Sequence, residues 1–427
     1  MAFAVKFAKT VRNHWKKSLF AAALVTYGAS YANDTIKINS LMRQYCLEAS
    51  ASGDIAMPMT RPLKEVLVLL NPAANRRSAE ETFKKYCEPI LHSAGFLVNI
   101  VKTDSEGHAR RYIEALTQYP NAIVVAGGDG TLSEVITGVM RNTGSNEGTP
   151  IGILPLGRTN ASCTQVHKLN RVEKARELAE AAISVVRGNV SKRHVMKIEV
   201  VAPDEEEHRR PVFAVGSFQW GAFRDILSLR DQYWYVGPLR EYLAFLVNAF
   251  SAKPTWECEA HMKYTPPCPG CLNCRTETKR VLAQKDKWWS RFIPRSTVSA
   301  SPATGDDFAK IINESCTKEY TIDGNHSEVI IETSEPMTAG SLQIKLSELE
   351  NSSFSFIYNS WKRVQSNPSA STAQRASIDA RTVEILPEKK ESAKEKYYSI
   401  DNEEYDVKPI KITLLKHAIN MFMPQAS

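Results

Sequence analysis

Several features that would assign this chain to a class at once are missing from it. No Walker-type Gly-x-x-x-x-Gly-Lys-Ser/Thr sequence occurs, which excludes a nucleotide site built on a P-loop lysine. No RNA- or DNA-binding motif occurs either, so nucleic acid is not an expected partner despite a net charge of +7. The eight cysteines are irregularly spaced, which excludes a disulfide scaffold. The remaining composition, 43% hydrophobic and 24% charged over 427 residues, is that of a globular protein with room for two domains.

The first 33 residues contain neither Asp nor Glu. They carry five basic residues, Lys6, Lys9, Arg12, Lys16 and Lys17, and then an apolar run, Ser18–Ala32. This chemistry is typical of a transit peptide, and the run is shorter than the roughly 20 residues of a spanning helix. A cleaved presequence and a short uncleaved membrane anchor both remain open. A secretory signal is disfavoured, because no clear Ala-x-Ala cleavage site precedes a disulfide-rich chain.

The most informative stretch is a β-branched run, Ile123–Ala126, that stops at Gly127, Gly128, Asp129, Gly130 and Thr131. A helical pattern follows, with Thr131 as the predicted N-cap and Glu134 at the capping-box position. Glycines let a backbone approach an anion closely, and a helix N-terminus offers unpaired N–H groups. The pattern therefore predicts a phosphate-binding turn. The alternative is an ordinary strand–turn–helix corner in which the turn favours Asp.

The segment 62–190 alternates strands with helices. Its predicted strands are Glu65–Leu70, Phe96–Val101, Ala122–Ala126 and Ile151–Leu154. This alternation predicts a doubly wound parallel α/β domain, whose ligands bind at the carboxyl ends of the strands.

The rest of the chain divides around that domain. Residues 191–427 contain short alternating strands and predict a β-rich, sandwich-like second domain, with the active site in the cleft between the two domains. Composition further indicates a targeting or anchor segment over 1–33, a polar helix and linker over 34–61, an irregular insertion over 265–310 and a mobile loop over 365–395.

Four motifs, taken in order and spacing, resemble the lipid kinases of the diacylglycerol kinase and sphingosine kinase catalytic-domain family. They are Asn71-Pro72, Gly127–Thr131, Pro155–Asn160, and Asp401-Asn402-Glu403 with the apolar strand that follows it. Within this family the closer resemblance is to the acylglycerol kinases, and it is carried by Val11–Lys17, Tyr233–Leu239 and Ser399–Asp401. NAD kinases share the glycine-rich turn but not the last two motifs.

The resemblance implies roles for individual residues. The nucleotide would be bound by Asn71, Gly127, Gly128, Asp129, Gly130, Thr131, Gly157, Thr159, Asn160 and Arg240. The catalytic groups would be Asp129, Asp225, Asp401 and Glu403, with Asp225 holding the lipid hydroxyl and the Asp401/Glu403 pair supplying the general base. The chain departs from the family pattern at Ala161, where relatives have Asp, and at Asn402, where they have Gly.

Three of these assignments have plainer alternatives. Asp225 could pair with Arg224 or Arg230 on a surface helix, and Arg240 could be a solvated helix residue. A second Asp-Gly sequence, at Asp323, lacks the acid and the apolar strand that follow Asp401, which favours the later motif.

The expected activity is transfer of phosphate from ATP, with Mg²⁺, to monoacylglycerol or diacylglycerol, giving lysophosphatidic or phosphatidic acid. Sphingosine or ceramide is the alternative substrate. The resemblance also admits a different class of function, a non-catalytic subunit of the carrier translocase of the mitochondrial inner membrane. If the apolar run inserts uncleaved in that membrane, the positive-inside rule makes the catalytic part face the intermembrane space.

Two features of the second domain carry separate hypotheses. Cys258, Cys268, Cys271 and Cys274 could bind zinc, form disulfides or remain free thiols, and the sequence leaves these alternatives open. Residues 275–295 contain seven Lys/Arg against two Asp/Glu, with interleaved aromatics, a composition that suits a lipid headgroup interface or a solvated loop.

Overall fold

A computed structural model describes most of the chain. The described residues are 14–53, 64–142, 148–157, 170–201, 210–251, 258–268, 271, 312–334, 340–347, 352–366, 374–388 and 397–423. The helices are α1 (Trp15–Gly53), α2 (Ala74–Arg77), α3 (Ala79–Tyr86), α4 (Glu88–Ser93), α5 (His108–Glu114), α6 (Asp129–Arg141), α7 (Arg171–Arg187), α8 (Ala222–Ser228), α9 (Arg240–Ser251) and α10 (Ser353–Ser366). A 3₁₀ segment, Leu229–Leu239, connects α8 to α9.

The strands alternate with helices at first and then follow one another. They are β1 (Glu65–Leu70), β2 (Leu97–Lys102), β3 (Ala122–Gly127), β4 (Ile151–Pro155), β5 (Val190–Val200), β6 (Val212–Ala214), β7 (Ser217–Gly221), β8 (Cys258–Thr265), β9 (Tyr320–Ile322), β10 (Asn325–His326), β11 (Glu328–Thr333), β12 (Leu342–Ser347), β13 (Gln374–Ala380), β14 (Thr382–Pro387), β15 (Tyr397–Ile400), β16 (Glu403–Asp406) and β17 (Ile410–Phe422).

The first four strands form the predicted parallel sheet, in the order β4-β3-β1-β2. Alternate residues of β1 point to opposite faces, because the side-chain period of a strand is two. Val66 and Val68 pack with α1, α3, α4 and α7, whereas Leu67 and Leu69 pack with α5 and α6. Helices on both faces of a parallel sheet confirm the doubly wound α/β prediction.

The β-rich part is a two-sheet sandwich that shares a strand with the α/β part. β17 pairs antiparallel with β5 and β14, and its far end pairs parallel with β4 at Met421 and Ile151. A single 11-stranded sheet therefore continues from the parallel strands into the sandwich. The second sheet has six strands in the order β13-β12-β11-β7-β15-β16. Met196 and Ile412 from the first sheet pack in one core with Phe218 and Ile331 from the second, which confirms the predicted β-rich half.

Three helices, α8, α9 and α10, form a small cluster with its own core against the six-stranded sheet. Its anchor is a buried ion pair in which Arg363 Nη1 lies 2.6 Å from Glu328 Oε2, with side chains only 3% and 5% exposed. The Arg363 guanidinium also stacks over the Phe223 ring at 3.7 Å from its centroid. This pair ties α10 to β11 and to α8.

Helix α1 is long and packs mainly through its second half, with Arg171 also stacking over the Tyr31 ring of the first half. The polar helix predicted within the linker segment, residues 34–53, belongs to this second half. Here Tyr45 donates a hydrogen bond to Glu180, and Arg187 Nε lies 2.7 Å from Glu48 Oε1. Large apolar side chains are exposed on the first half: Trp15, Leu19, Phe20, Leu24, Val25, Tyr27 and Tyr31. Among the residues that the structure describes, no helix combines the length and apolarity of a membrane span.

Two sequence predictions of helix caps are wrong. Helix α6 begins at Asp129 with Gly128 as its N-cap, not at Thr131. Glu134 instead accepts hydrogen bonds from the backbone N–H groups of Gly107 and Ala109, so it caps the neighbouring helix α5. The sequence spacing also predicts a capping box of Ser78 with Glu81 at the start of α3. This prediction is wrong too, because the Ser78 hydroxyl donates to the Asn75 carbonyl and makes no cap hydrogen bond to α3.

The prediction of a mobile loop over 365–395 is wrong for the middle of that segment. Residues 374–387 form β13 and β14, which pair with β12 on one side and with β8 and β17 on the other. Their alternating apolar side chains, such as Val383 and Ile385, are buried in the sandwich core. The apolar side chains of these strands alternate with a period of two, and the average composition of the segment does not show that alternation. Most of the predicted insertion over 265–310 lies outside the described residues.

Candidate active site

The glycine-rich turn joins β3 to α6 where the carboxyl ends of the parallel strands meet. Gly127 ends β3, Gly128 is extended, and Asp129 lies in the first turn of α6 with only 3% of its surface exposed. The Leu132 N–H donates to the carbonyl of the N-cap residue Gly128 over 3.1 Å. The first N–H groups of α6 thus carry the partial positive charge that binds anions at helix N-termini.

Two glycines of this turn lie very close to neighbouring side chains. A Cβ on Gly127 would lie 2.7 Å from Thr131 Oγ1, and a Cβ on Gly130 would lie 2.7 Å from Glu403 Oε1. At these two glycines the backbone of the turn therefore lies directly against the side chains of Thr131 and Glu403. Such close approach is what a phosphate cradle made of backbone N–H groups requires.

The ends of β1 and β4 frame this turn. The Asn71 N–H donates to the Ala126 carbonyl, and Asn71 Nδ2 donates to Thr131 Oγ1 over 3.2 Å. From the other side, the Gly157 N–H donates to the Gly127 carbonyl over 2.9 Å. Asn71, the glycine-rich turn and Gly157 are therefore brought together as the resemblance implied. Thr159 and Asn160, named with them, lie outside the described residues.

A second turn approaches from the β-rich half, between β15 and β16. Asp401 and Asn402 both have left-handed backbone, with φ of +48° and +68°. The Asp401 carboxylate accepts three backbone hydrogen bonds, from the N–H groups of Val215, Gly216 and Ser217, at 2.9 to 3.1 Å. Burial raises the pKa of Asp401 to about 7, against the lowering effect of these three donors.

Asn402 connects the two turns directly. Its Nδ2 donates to Asp129 Oδ2 over 2.9 Å. Its own carbonyl accepts from Arg224 Nη2 over 3.1 Å, while Arg224 Nε donates to Ser399 Oγ. The α/β half and the β-rich half thus meet at Asp129, as predicted for a site in the cleft between them.

Glu403 is the carboxylate of the second turn that lies against the first. Burial raises its pKa to about 7, and the nearby charges of Glu134 and Glu106 act in the same direction. The Tyr405 hydroxyl donates to Glu403 Oε2 over 3.0 Å, which opposes this rise. Its other oxygen, Oε1, is the atom facing the backbone at Gly130. A carboxylate that titrates near neutral pH beside an anion cradle is suited to accept a proton.

Family models match both halves of the chain. Residues 65–198 match the diacylglycerol kinase catalytic domain, and residues 215–427 match the acylglycerol kinase C-terminal region. A mitochondrial acylglycerol kinase of Homo sapiens is 32% identical over 429 residues, covering 97% of this chain and 96% of that protein. The corresponding protein of Mus musculus is 31% identical over 434 residues, with the same coverage of both chains. The chain belongs to the acylglycerol kinase family.

A solved diacylglycerol kinase structure from Bacillus anthracis shares the fold of this acylglycerol kinase family member. Its TM-score is 0.50 at 16% sequence identity, over 86% of this chain and 99% of that one. The likeness to a solved structure supports the order of an α/β half followed by a β-rich half. With the family models, the relatives show that the chain is a lipid kinase.

Two residues predicted for this kinase lie on the helical cluster. Asp225 is half-buried in α8, next to Arg224, whose guanidinium binds the Asp401 turn. Arg240 begins α9 and forms an ion pair with Asp231 at 3.2 Å. Among the described residues, no hydrogen bond or ion pair joins Arg240 to the glycine-rich turn.

The alternative Asp-Gly sequence lies elsewhere in this kinase. Asp323 follows β9, has a side chain that is 62% exposed, and accepts a hydrogen bond from the His261 ring. Its surroundings are therefore those of a surface ion pair, unlike the buried turn at Asp401.

Sequence reasoning missed two contributors to this site. The sequence marks Asn402 only as a departure from the Gly of relatives, and its bond to Asp129 is a long-range contact without a local signal. Tyr405 could have been found, because it stands two residues after Glu403 on a strand and therefore on the same face.

Proposed function

We propose that this kinase transfers the γ-phosphoryl group of ATP to the free hydroxyl of monoacylglycerol and diacylglycerol, giving lysophosphatidic and phosphatidic acid. The observation that carries the proposal is Glu403, a half-buried carboxylate that lies against the first turn of α6 and whose pKa is raised to about 7 by loss of solvent. The names of the human and mouse relatives support the choice of acylglycerol.

The nucleotide would lie along the carboxyl edge of the parallel sheet. The N–H groups at the start of α6 would receive its phosphates, with Gly127 and Gly128 keeping the backbone accessible. Asn71 and Gly157 hold this turn in place from either side. Thr159, Asn160 and Arg240 remain proposed nucleotide contacts, and Arg240 would have to exchange its partner Asp231 for a phosphate.

Mg²⁺ would accompany ATP, and the residues present fit that ion. Asp129 is a nearly buried carboxylate at the N-terminus of the helix that receives the phosphates, and a hard oxygen ligand is what Mg²⁺ prefers. The ion would neutralise charge on the triphosphate during transfer. Asn402 fixes the direction of the Asp129 carboxylate through the hydrogen bond to Oδ2.

The proton of the lipid hydroxyl would pass to Glu403. Tyr405 holds Oε2 in place, and Oε1 faces the cradle where the γ-phosphate would lie. Asp401 has a different part, because its oxygens already accept three backbone hydrogen bonds. It would position the turn that carries Asn402 and Glu403. Asp225, on α8 beside this turn, would hold the hydroxyl for attack.

A kinase assay with radiolabelled ATP across a panel of vesicle-bound lipids tests this proposal. We expect label in lysophosphatidic and phosphatidic acid with the wild-type protein and none with Asp129→Asn. Label on sphingosine or ceramide alone would replace the acylglycerol assignment with the alternative substrate class. If no lipid is labelled while Asp129→Asn still restores carrier import in knockout mitochondria, the translocase-subunit function would take its place.

The proposed location is the mitochondrial inner membrane, with the catalytic part facing the intermembrane space. It is supported by the acid-free basic N-terminus, by the exposed apolar side chains on the first half of α1, and by the word mitochondrial in the names of the relatives. Deleting residues 1–33 should release much of the protein from membranes. Protease added to mitoplasts should digest the catalytic part, and a protected catalytic part would indicate a matrix enzyme with a cleaved presequence.

A further inference from the structure

Three cysteines meet in a small core of their own, remote in sequence from the glycine-rich turn. Cys268 and Cys271 follow β8, and Cys316 precedes β9. Their exposed fractions are 5%, 1% and 1%, and their Sγ atoms all lie within 4.8 Å of one another. Two segments that flank a long insertion therefore bring three thiols to one buried point.

The structure separates one cysteine from the group that lies close together in the sequence. Cys258, grouped with Cys268 and Cys271 by proximity along the chain, lies within β8 and directs its Sγ toward the Trp220 and Ser327 carbonyls. Cys316, which the sequence pattern did not single out, takes its place beside the other two. Cys274 lies outside the described residues.

The spacing suits a shared metal ion. Four sulfurs at about 2.3 Å from a tetrahedral zinc ion are about 3.8 Å apart, which small side-chain rotations reach from the observed spacing. The pair Cys268-Pro-Gly-Cys271 has the Cys-x-x-Cys spacing typical of structural zinc sites. A disulfide between any two of the three would leave a third thiol buried beside it, whereas one ion uses all three.

Hydrogen-bond donors surround the cluster. Arg381 Nη1 donates to Cys316 Sγ at 3.6 Å, and Asn313 Nδ2 donates to Cys268 Sγ at 3.4 Å. Lys416 Nζ donates to the Cys268 carbonyl at 3.2 Å. Three thiolates around a divalent cation carry a net charge of −1, which the Arg381 guanidinium would balance. Donors to ligand sulfurs and a balancing charge are the surroundings expected of a metal site.

We infer that Cys268, Cys271 and Cys316 bind a zinc ion as thiolates, losing three protons as it enters, with the fourth coordination position taken by another ligand. The ion joins the end of β8 to the segment before β9, and so fixes both ends of the insertion between them. Its role is structural. The binding site exists only in the folded protein, so the free energy of metal binding adds to the free energy of unfolding. The inference does not depend on the proposed kinase reaction.

The test is the metal content of the full-length protein, purified and reconstituted with zinc. We expect about one zinc per chain by atomic emission in the wild type and at least a fivefold lower content in Cys316→Ser and Cys271→Ser. The matched controls are Cys258→Ser, a buried cysteine outside the cluster, and Cys46→Ser, a partly buried one. Both should keep the wild-type zinc content.

Two further measurements keep the test decisive if a serine variant does not fold. Cobalt added to the metal-free wild-type protein should give the intense absorption of tetrahedral Co²⁺–thiolate coordination, and a chelator should lower its melting temperature. A zinc content near zero after reconstitution, with no cobalt–thiolate absorption, would overturn the inference. So would a mass spectrum of the zinc-treated protein that shows two of the three cysteines joined in a disulfide.

Discussion

Asn402 Nδ2 donates to Asp129 Oδ2 over 2.9 Å, although the two residues are 273 positions apart in the chain. One belongs to the first turn of α6 and the other to the left-handed turn between β15 and β16. The bond joins the anion cradle of the α/β half to the turn that carries Glu403.

The Asp129→Asn variant should lose phosphoryl transfer and keep its fold. The replacement removes the negative charge at the helix N-terminus, while the new side chain can still present an oxygen to Asn402 Nδ2. Turnover and melting temperature should be measured on the same preparation. Wild-type turnover at an unchanged melting temperature would show that Asp129 is not part of the reacting site.

Replacing Glu403 by Gln should lower kcat by about 10²–10⁴, the range for loss of a positioned general base. The amide keeps the size of the side chain and can still accept from Tyr405. The control is Asp323→Asn at the exposed Asp-Gly sequence, which should leave kcat nearly unchanged. A damaging Asp323 change with an innocuous Glu403 change would mean that the acidic motif was assigned to the wrong turn.

The kcat of the wild-type enzyme should rise with pH through a pKa of about 7. Glu403 accepts a proton only when ionised, and burial keeps it protonated below that pH. The slope below the pKa should be about tenfold per pH unit, with a plateau above it. Because Asp401 also has a pKa near 7, the profile reports the two carboxyls together. The residual activity of Glu403→Gln should lack most of this dependence, and an identical rise in that variant would assign it elsewhere.

The Gly130→Ala variant should lower kcat at least about tenfold with little loss of stability. Its Cβ would lie 2.7 Å from Glu403 Oε1, so the end of a flexible side chain must move, while the helix itself accepts alanine well. Gly138→Ala in the same helix is the matched comparison. There the Cβ would meet Ile113 and the Arg110 carbonyl, so we expect lower stability, seen as an earlier denaturant midpoint.

The Arg363→Met variant should lower the free energy of unfolding by about 3–5 kcal/mol, because it leaves the Glu328 carboxylate buried without its partner. Denaturant titration measures this loss. The comparison is Lys84→Met, which removes an exposed pair with Glu80 and should leave the transition nearly unchanged. Equal effects of the two substitutions would show that the buried pair does not anchor the helical cluster.

The sequence predicted the elements whose signal is local. The apolar runs of β1, β3 and β4 and the glycine-rich turn are read within a few residues, and the structure places them as expected. Glu134 shows where this reasoning stops, because its spacing from Thr131 fits a capping box but its carboxylate binds another helix. Contacts such as Cys268 with Cys316, or Asp129 with Asn402, depend on the path of the chain through space. The periodicity and spacing of residues along the sequence contain no information about that path.

The shared strand β17 has a consequence for biosynthesis. It comes after every other described strand, yet it supplies a neighbour to β4 in the first half and to β5 and β14 in the second. A ribosome must therefore translate through Phe422 before either half can close its sheet. A premature stop codon upstream of Ile410 would leave open strand edges in both halves, the kind of surface that aggregates or is taken up by chaperones and proteases. We therefore expect truncated products to be degraded completely, so that the α/β half does not accumulate as a free fragment.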